Sequence, residues 1–346
     1  AHTPIETPDT LPDTLPDPAH WTRVRAKYRG ANLRQSLTEI AVTLIPFVAI
    51  WGLAWAALGV SVWLSLALAL VNALFLVRLF MIQHDCGHGA FFASRRIADW
   101  TGRLLGVLTM TPYEVWRKTH AVHHAHTGNL DRRGVGDIPT LTVAEYRALS
   151  PVLQFLYRLY RNPLVLFGVV PAFVFLVRNR VPVKLLRGEA RYWISTMGTN
   201  AGIAALLGAI WWAGGWQPIL WIFLPTIVAA SSIGMWLFFV QHQFEDTTWE
   251  HEEEWQIHHA ALHGSSYYEL PGVLRWFSAN IGVHHVHHLA SRIPFYKLDQ
   301  VLRDHPVLAT CQRLTLRESM GCAKLHLWDE RSNQLLTFAK ARQVSV

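Results

Sequence analysis

Histidine is concentrated in one short stretch of the sequence, Gly-Val-His-His-Val-His-His-Leu at residues 282–289. On a helix, His284, His287 and His288 would occupy positions i, i+3 and i+4, which lie on one face. Their ring nitrogens can therefore converge on one point. Crowded neutral imidazoles suit a transition metal, and few structural purposes need them. The stretch therefore predicts a metal site rather than a surface histidine cluster or a purification artefact.

Two upstream stretches have the same kind of spacing, with one-face sets at His84 and His88 and at His120, His123 and His124. A ninth imidazole, His242, follows a long apolar run. One tetrahedral zinc takes four ligands and a catalytic zinc takes three, so eight or nine imidazoles indicate two metal ions. A structural zinc site would also favour thiolates, and of the cysteines only Cys86 lies near a histidine set.

The composition points to a membrane protein. Of 346 residues, 51% are hydrophobic and only 16% are charged, which is too apolar for an ordinary soluble domain. The three cysteines are widely spaced and odd in number, so no disulfide framework is expected, which fits a reducing compartment. The net charge of +7 suits anionic lipid headgroups or an acidic protein partner. Without a basic stripe interleaved with stacking aromatics, no nucleic-acid binding is predicted.

Crossing a bilayer takes about 20 helical residues. Four apolar stretches meet this length, at about residues 40–60, 62–83, 193–212 and 216–241. A further apolar segment, residues 151–177, is broken by two arginines and two prolines. A fifth crossing would put the histidine sets on opposite sides of the membrane. We therefore predict that residues 151–177 form an interfacial or re-entrant segment. Basic residues at 23–34 and 178–191 place both termini and all histidine sets in the cytoplasm.

The predicted fold class is an all-α integral membrane protein with four transmembrane helices and a cytosolic helical cap carrying a histidine-rich di-metal site. Residues 1–20, rich in Pro, Asp and Thr, are expected to be a disordered tail and lack the pattern of a signal peptide. Residues 21–300 would form the membrane domain. Residues 301–346 would form a cytosolic C-terminal cap.

The motifs HDCGH, HAVHH and HHVHH resemble the three histidine boxes of membrane fatty acid desaturases. The surrounding segments NLDRRGVGD, QHQFED, GSSYYELP and GVHHVHHLASRIPFY resemble the omega-6 (delta-12) branch of that family. The resemblance covers about residues 80–300. Its implied metal ligands are His84, His88, His120, His123, His124, His284, His287 and His288, with the isolated His242 matching a further family histidine.

The resemblance implies an oxygen-dependent desaturase with two non-haem iron ions and O2 as co-substrate. It further implies a cis double bond made at the delta-12 position of an 18-carbon monoene, held on a lipid or another acyl carrier. A separate electron donor, a ferredoxin or b-type cytochrome, is expected because no haem-binding His-Pro-Gly-Gly occurs. The expected location is a bacterial cytoplasmic membrane, with the active site facing the cytosol. The oligomeric state stays open.

Two alternatives remain. A hydroxylase, epoxygenase or acetylenase could share this scaffold, because small differences near the metal decide the product. A membrane receptor or transporter with a structural metal belongs to another class, although the spans lack the deep charges of a transporter.

Several further residues flank the histidine sets. Three carboxylates and an extra imidazole are candidates for orienting a ligand ring through its second nitrogen, namely Asp85, Asp137, Glu245 and His285. A helix-cap or surface role is the alternative for the carboxylates. The remaining nearby histidines are expected to be polar surface, interfacial or supporting residues, namely His126, His251, His258, His259 and His263.

Overall fold

The computed structural model describes residues 26–344, so the predicted disordered tail at 1–20 lies outside the described residues. The described chain is mostly helical. Its α-helices outside the five longest apolar segments are Arg95–Leu108, Tyr113–His126, Val143–Ala148, Pro151–Tyr160, Ile257–His263, Gly272–Phe277, His284–Leu289, Phe295–Asp304, Val307–Thr310, Leu316–Cys322 and Phe338–Ala341.

Five described helical segments are long and apolar enough to cross a membrane by length and composition, namely Leu33–Ala57, Val62–His88, Val165–Leu186, Ala190–Gly214 and Ile219–His242. Four of them overlap the four predicted spans. The other, Val165–Leu186, overlaps the end of the segment predicted to be interfacial or re-entrant.

Segment Val165–Leu186 is not one regular helix. It consists of a π-helical turn at Val165–Val169, an α-helix at Val170–Leu176 and short 3₁₀ turns beyond. Pro171 lies two residues after the end of this π-helical turn, and Pro225 lies two residues after the end of the π-helical turn Ile219–Phe223. Proline has no N–H to donate, so the preceding turn widens at both places.

Helix Val62–His88 is the centre of the apolar bundle and packs against Leu33–Ala57, Arg95–Leu108 and Leu224–His242. Ser65 on this helix donates to the carbonyl of Ala54 on Leu33–Ala57 at 2.8 Å. The helix ends after His88 because Gly89 adopts a left-handed φ of 68°, which favours glycine. The first histidine set therefore lies in the last two turns of the helix.

Arg78 fixes this helix to two neighbours below the first histidine set. Its buried guanidinium pairs with Glu39 at 2.5 Å and donates to Thr43 at 3.2 Å, both on Leu33–Ala57. It also donates to the carbonyl of Trp276 and lies 4.0 Å from the centre of that indole ring. A buried cation with both an anionic partner and an aromatic face is well compensated.

Helices Arg95–Leu108 and Tyr113–His126 form a hairpin that carries the second histidine set. The two helices approach closely at Gly102, where a Cβ would overlap the ring of Tyr113. Glu114 forms ion pairs with Arg103 at 2.6 Å and with Arg117 at 2.7 Å. The hairpin is therefore held rigidly beside the end of Val62–His88.

The prediction of an all-α fold was wrong in one respect, because the described chain contains five short strands. Leu141–Thr142 pairs in parallel with Leu327–Asp329, which pairs antiparallel with Gln334–Leu336. Tyr267–Glu269 pairs in parallel with Arg313–Thr315. Each strand has two or three residues, too few to give a period-two pattern in the sequence. The region predicted as a helical cap thus includes three strands.

Candidate metal centre

The structure brings together all nine imidazoles that the sequence predicts as ligands, in two groups. Group one contains His84, His88, His120, His124 and His287. Group two contains His123, His242, His284 and His288. Within each group, the facing ring nitrogens lie within 4.8 Å of one another.

The division between the groups explains the i, i+3, i+4 spacing. On helix Tyr113–His126, residues at i and i+4 contribute to group one and His123 contributes to group two. On helix His284–Leu289, the i and i+4 residues contribute to group two, whereas His287 contributes to group one. Both helices therefore contribute to both groups. The sequence predicted the convergence but not this division.

Helix His284–Leu289 is held in place by backbone pairing. The N–H of Tyr268 donates to the carbonyl of Gly282 at 2.7 Å, and the N–H of His285 donates to the carbonyl of Ser266 at 3.3 Å. Strand Tyr267–Glu269 lies beyond the end of helix Leu224–His242, where Ser266 donates to the carbonyl of Val240 at 3.1 Å. The third histidine set is thus fixed at the level of His242.

The nitrogen spacing fits bound metal ions. In group one, successive Nε2 atoms are 3.3, 3.0, 3.1 and 3.1 Å apart along His84, His88, His120, His124 and His287. In group two, they are 3.2, 2.9 and 3.1 Å apart along His123, His242, His284 and His288. Ligand nitrogens at roughly 2.1 Å from one ion lie about 3.0–3.4 Å apart in octahedral or tetrahedral geometry. Each group can therefore surround one ion.

Five of these imidazoles are held neutral by their surroundings and are therefore able to coordinate. Burial, reinforced by neighbouring imidazoles, lowers the pKa well below its usual value for His120, His124, His284, His287 and His288. A neutral imidazole keeps one nitrogen lone pair free for a metal.

Each group has one carboxylate that orients a ring. Asp85 places one oxygen 3.2 Å from Nδ1 of His84 in group one, and its other oxygen accepts the N–H of Phe295 at 2.7 Å. Asp137 places one oxygen 2.5 Å from Nδ1 of His123 in group two. Such contacts fix the tautomer that leaves Nε2 available to a metal. Both aspartates therefore lie beside an imidazole, and their orienting role stays a prediction.

The two other flanking residues do not orient a ligand ring. Glu245 is exposed and, within residues 26–344, makes no hydrogen bond or ion pair to any of the nine imidazoles, because the chain leaves the site after His242. His285 points away from both groups, with Nε2 2.8 Å from the carbonyl oxygen of Leu308. Burial lowers the pKa of His285 to about 4, so this ring stays neutral and links its helix to Val307–Thr310.

Three contacts to the imidazoles were not predicted. Trp116 stacks on His120 with ring centres 4.6 Å apart, and Phe238 packs against His242 at 5.2 Å. Each lies four residues before its histidine on the same helix, a spacing that could have indicated both. The carbonyl oxygen of Gly264 lies 3.3 Å from Nδ1 of His242, and a backbone contact of this kind leaves no signal in the sequence.

The other nearby histidines belong to neither group. His126 lies 3.0 Å from the carbonyl oxygen of Val122, and His251 pairs with Asp131 and Glu330 on the surface. His259 is 3.4 Å from Glu250. His258 lines the cavity of about 380 Å³ described in the next paragraph, and the ring of His263 lies against the ring of His259.

Two cavities reach the groups. One, of about 210 Å³, is lined by His123 and His242 together with Phe238, Ile138 and Trp249. The other, of about 380 Å³, is lined by His88 and His124 of group one and by His288 of group two. The first cavity therefore reaches group two, and the second reaches both groups.

Comparison with known proteins gives consistent matches. The family model described as "Fatty acid desaturase" matches residues 61–318. A "Fatty acid desaturase" of Bacillus subtilis is 42% identical over 325 residues, covering 94% of this chain and 92% of that protein. An "sn-1 acyl-lipid omega-3 desaturase (ferredoxin)" of Synechocystis is 29% identical, covering 64% of this chain and 61% of that protein. An "sn-1 oleoyl-lipid 12-desaturase" of Anabaena variabilis is 24% identical, covering 77% and 75%.

Proposed function

The chain belongs to the fatty acid desaturase family, and we propose that it is an O2-dependent acyl desaturase whose two imidazole groups each hold one non-haem iron ion. The observation that carries the proposal is the convergence of nine imidazoles in two groups that share two helices. The overall reaction removes one hydrogen from each of two adjacent methylenes and leaves one cis double bond. The two hydrogens combine with O2, two electrons and two protons to form two waters. When bound, the iron supplies the oxygen activation and hydrogen removal that protein side chains cannot perform.

The ligand set favours iron over structural zinc. Structural zinc is almost always four-coordinate and commonly bound through thiolates. Group one offers five imidazoles, and no cysteine belongs to either group in the described chain. Five nitrogens around one ion suit a metal that accepts higher coordination, with a position left for a small molecule. The protein groups hold and orient these rings and keep most of them buried.

We further propose four membrane crossings, because the histidines must share one side. Nε2 of His123 and Nε2 of His242 are 3.2 Å apart, yet three long apolar segments separate these residues along the chain. Only an even number of crossings returns the chain to the same side. Val165–Leu186 is the irregular segment of the three, so we assign it the non-crossing, re-entrant role.

A reporter at the C-terminus tests this topology. We expect a C-terminal cysteine tag on the chain in bacterial cells to react with thiol reagents only after the cytoplasmic membrane is permeabilised. A second tag in the turn near Gly59, between the first two long helices, is the matched control and should react in intact cells. Labelling of the C-terminal tag in intact cells would contradict four crossings with cytoplasmic termini.

For the substrate, we propose an 18-carbon monoenoic chain on a membrane lipid, converted to a delta-12 diene. Support comes from the motifs of this chain that resemble the omega-6 branch and from relatives named as oleoyl-lipid 12-desaturases. We also propose a separate electron donor, a ferredoxin or b-type cytochrome. A relative named as ferredoxin-dependent supports the former.

Fatty acid profiling tests the function and the double-bond position. Expression in a bacterial host that makes monoenes but no dienes is expected to produce a new delta-12 diene by gas chromatography and mass spectrometry. His287→Ala is the matched control and should give no new product, because it removes a group-one imidazole.

Each other result has a distinct meaning. New monoenes alone would contradict the delta-12 position and leave the desaturase activity standing. Hydroxy, epoxy or acetylenic acids would support the alternative enzymes on this scaffold. A purified protein with zinc, no iron and no lipid-dependent O2 uptake would overturn the proposed di-iron chemistry.

A further inference from the structure

The cavity of about 380 Å³ is lined by imidazoles of both groups. These imidazoles are His88, His124 and His288. His88 and His124 are only half-buried, unlike His84 and His287 in the same group. One wall is formed by Ala121 and Ala125, whose small side chains leave the imidazole edges accessible along helix Tyr113–His126.

Two arginines line the outer edge of this cavity. Arg29 and Arg292 are both exposed, and neither has an ion pair or hydrogen bond with another residue of the described range 26–344. Exposed arginines that lack carboxylate partners create a local positive potential and match acidic partners. We call Arg29 and Arg292 the arginine edge.

The backbone beside Arg29 is anchored although Arg29 lies on the surface. The hydroxyl of Tyr28 lies 2.5 Å from a carboxylate oxygen of Asp304, and Lys27 pairs with the same oxygen at 2.9 Å. Lys297 donates to the carbonyl of Gly30 at 2.9 Å. Residues 27–30 are therefore fixed on helix Phe295–Asp304, which keeps Arg29 near Arg292.

Another part of the lining lies next to negative charge. Ile257 and His258 also line the cavity, and they follow the exposed Glu253 and Glu254 in the chain. An acidic partner is therefore attracted to the arginine edge and not to the whole rim. This asymmetry would give the partner one preferred orientation.

The chemistry of the cavity fits an electron donor better than an acyl chain. Its lining includes imidazoles of both groups and three alanines, together with Ile257, Leu289 and the two guanidinium groups of Arg29 and Arg292. A chain of methylenes needs an apolar lining. The other cavity combines the apolar residues Phe238, Ile138 and Trp249 with polar ones, including Asn129, Arg133 and Asp137. A donor only needs to bring its redox group close to the imidazole edges.

We propose that an acidic, soluble one-electron carrier protein docks over this cavity with its carboxylates against Arg29 and Arg292. Its electrons reach the two metals past His88, His124 and His288. Two docking events supply the two electrons that each double bond requires. This inference rests on the proposed function, because only an oxygen-reducing enzyme needs such a donor.

Charge reversal at the arginine edge tests the docking surface. With purified, iron-loaded protein and a reduced plant-type [2Fe–2S] ferredoxin, we expect Arg29→Glu and Arg292→Glu each to raise the KM for ferredoxin about tenfold at low salt. Iron content and product formed with dithionite and a viologen mediator should stay unchanged. Added salt should raise the wild-type KM steeply and the variant KM less, because screening acts on the same charges.

Arg342→Glu is the matched control, because Arg342 is exposed in the C-terminal region away from the cavity lining. An unchanged KM for ferredoxin in both edge variants would overturn the docking surface. A raised KM for the phospholipid substrate instead would assign the arginines to a lipid phosphate and overturn the donor assignment.

The proposed function can fail separately from the docking surface. A wild-type enzyme that forms no product even with dithionite would contradict the proposed function. Binding of labelled ferredoxin, followed by fluorescence anisotropy, still decides the docking surface in that case. Equal affinity of wild type and Arg292→Glu for ferredoxin would overturn it.

Discussion

His242→Ala is expected to lose one of two iron ions and to abolish desaturation. Nε2 of His242 lies 2.9 Å from Nε2 of His284 and 3.2 Å from Nε2 of His123, between two other members of group two. Its removal leaves three imidazoles in that group, while group one keeps all five. Plasma mass spectrometry of purified protein should therefore fall from two irons per chain to one. Gas chromatography should show no new double bond.

His285→Gln is the control for this experiment, because His285 is an equally buried histidine at the same end of the protein. Its ring contacts the carbonyl oxygen of Leu308 and belongs to neither group. We expect this variant to keep two irons and most of its turnover, with lower thermal stability from the lost contact. His242→Gln should behave like His242→Ala. Iron loss in His285→Gln with two irons retained in His242→Ala would mean that the ninth ligand is misassigned.

Much of the site could be predicted from the sequence because helical spacing is a local property. The positions i, i+3 and i+4 fix which rings share a face, and this holds for His120, His123 and His124 wherever the helix packs. The assignment of His123 to the other group depends on where helix Leu224–His242 ends relative to the hairpin. That relation is tertiary, and no single stretch of sequence carries it.

The errors have equally local causes. Glu245 was a reasonable partner because it lies three residues after His242, but the helix ends at His242 and the chain turns away. The strands at 141–142 and 327–329 pair across most of the chain, so neither has a local partner that a pattern could reveal.

The orientation of ligand rings shows how the fold supports the metal centre. Group one is supported through Asp85, which also accepts the N–H of Phe295 at the start of a helix. Group two is supported through Asp137, whose second oxygen accepts the N–H of Gly134 at 3.2 Å in the loop after the second histidine set. Each carboxylate thus couples one ring to a different structural element. The two groups should therefore respond separately to changes in these aspartates.

Asp137→Asn is accordingly expected to weaken iron binding by group two about 10–100-fold, the usual effect of losing a partner of a ligand histidine. The amide cannot accept the Nδ1–H of His123 with the strength of a carboxylate, so the tautomer and orientation of that ring are less fixed. Chelator competition, followed by Mössbauer spectroscopy of the remaining iron, should show one tightly held ion and one released early. Turnover should fall with the iron that is lost.

Asp85→Asn is the matched variant, with the same chemical change at group one, and it should release the other ion. It should also lower thermal stability more than Asp137→Asn, because the Asp85 side chain is 2% exposed against 22% for Asp137, so water cannot replace a lost contact to the N–H of Phe295. The two Mössbauer spectra should therefore lose different components. If both variants lose the same component, or if neither loses iron, the separate support of the two groups by Asp85 and Asp137 is wrong.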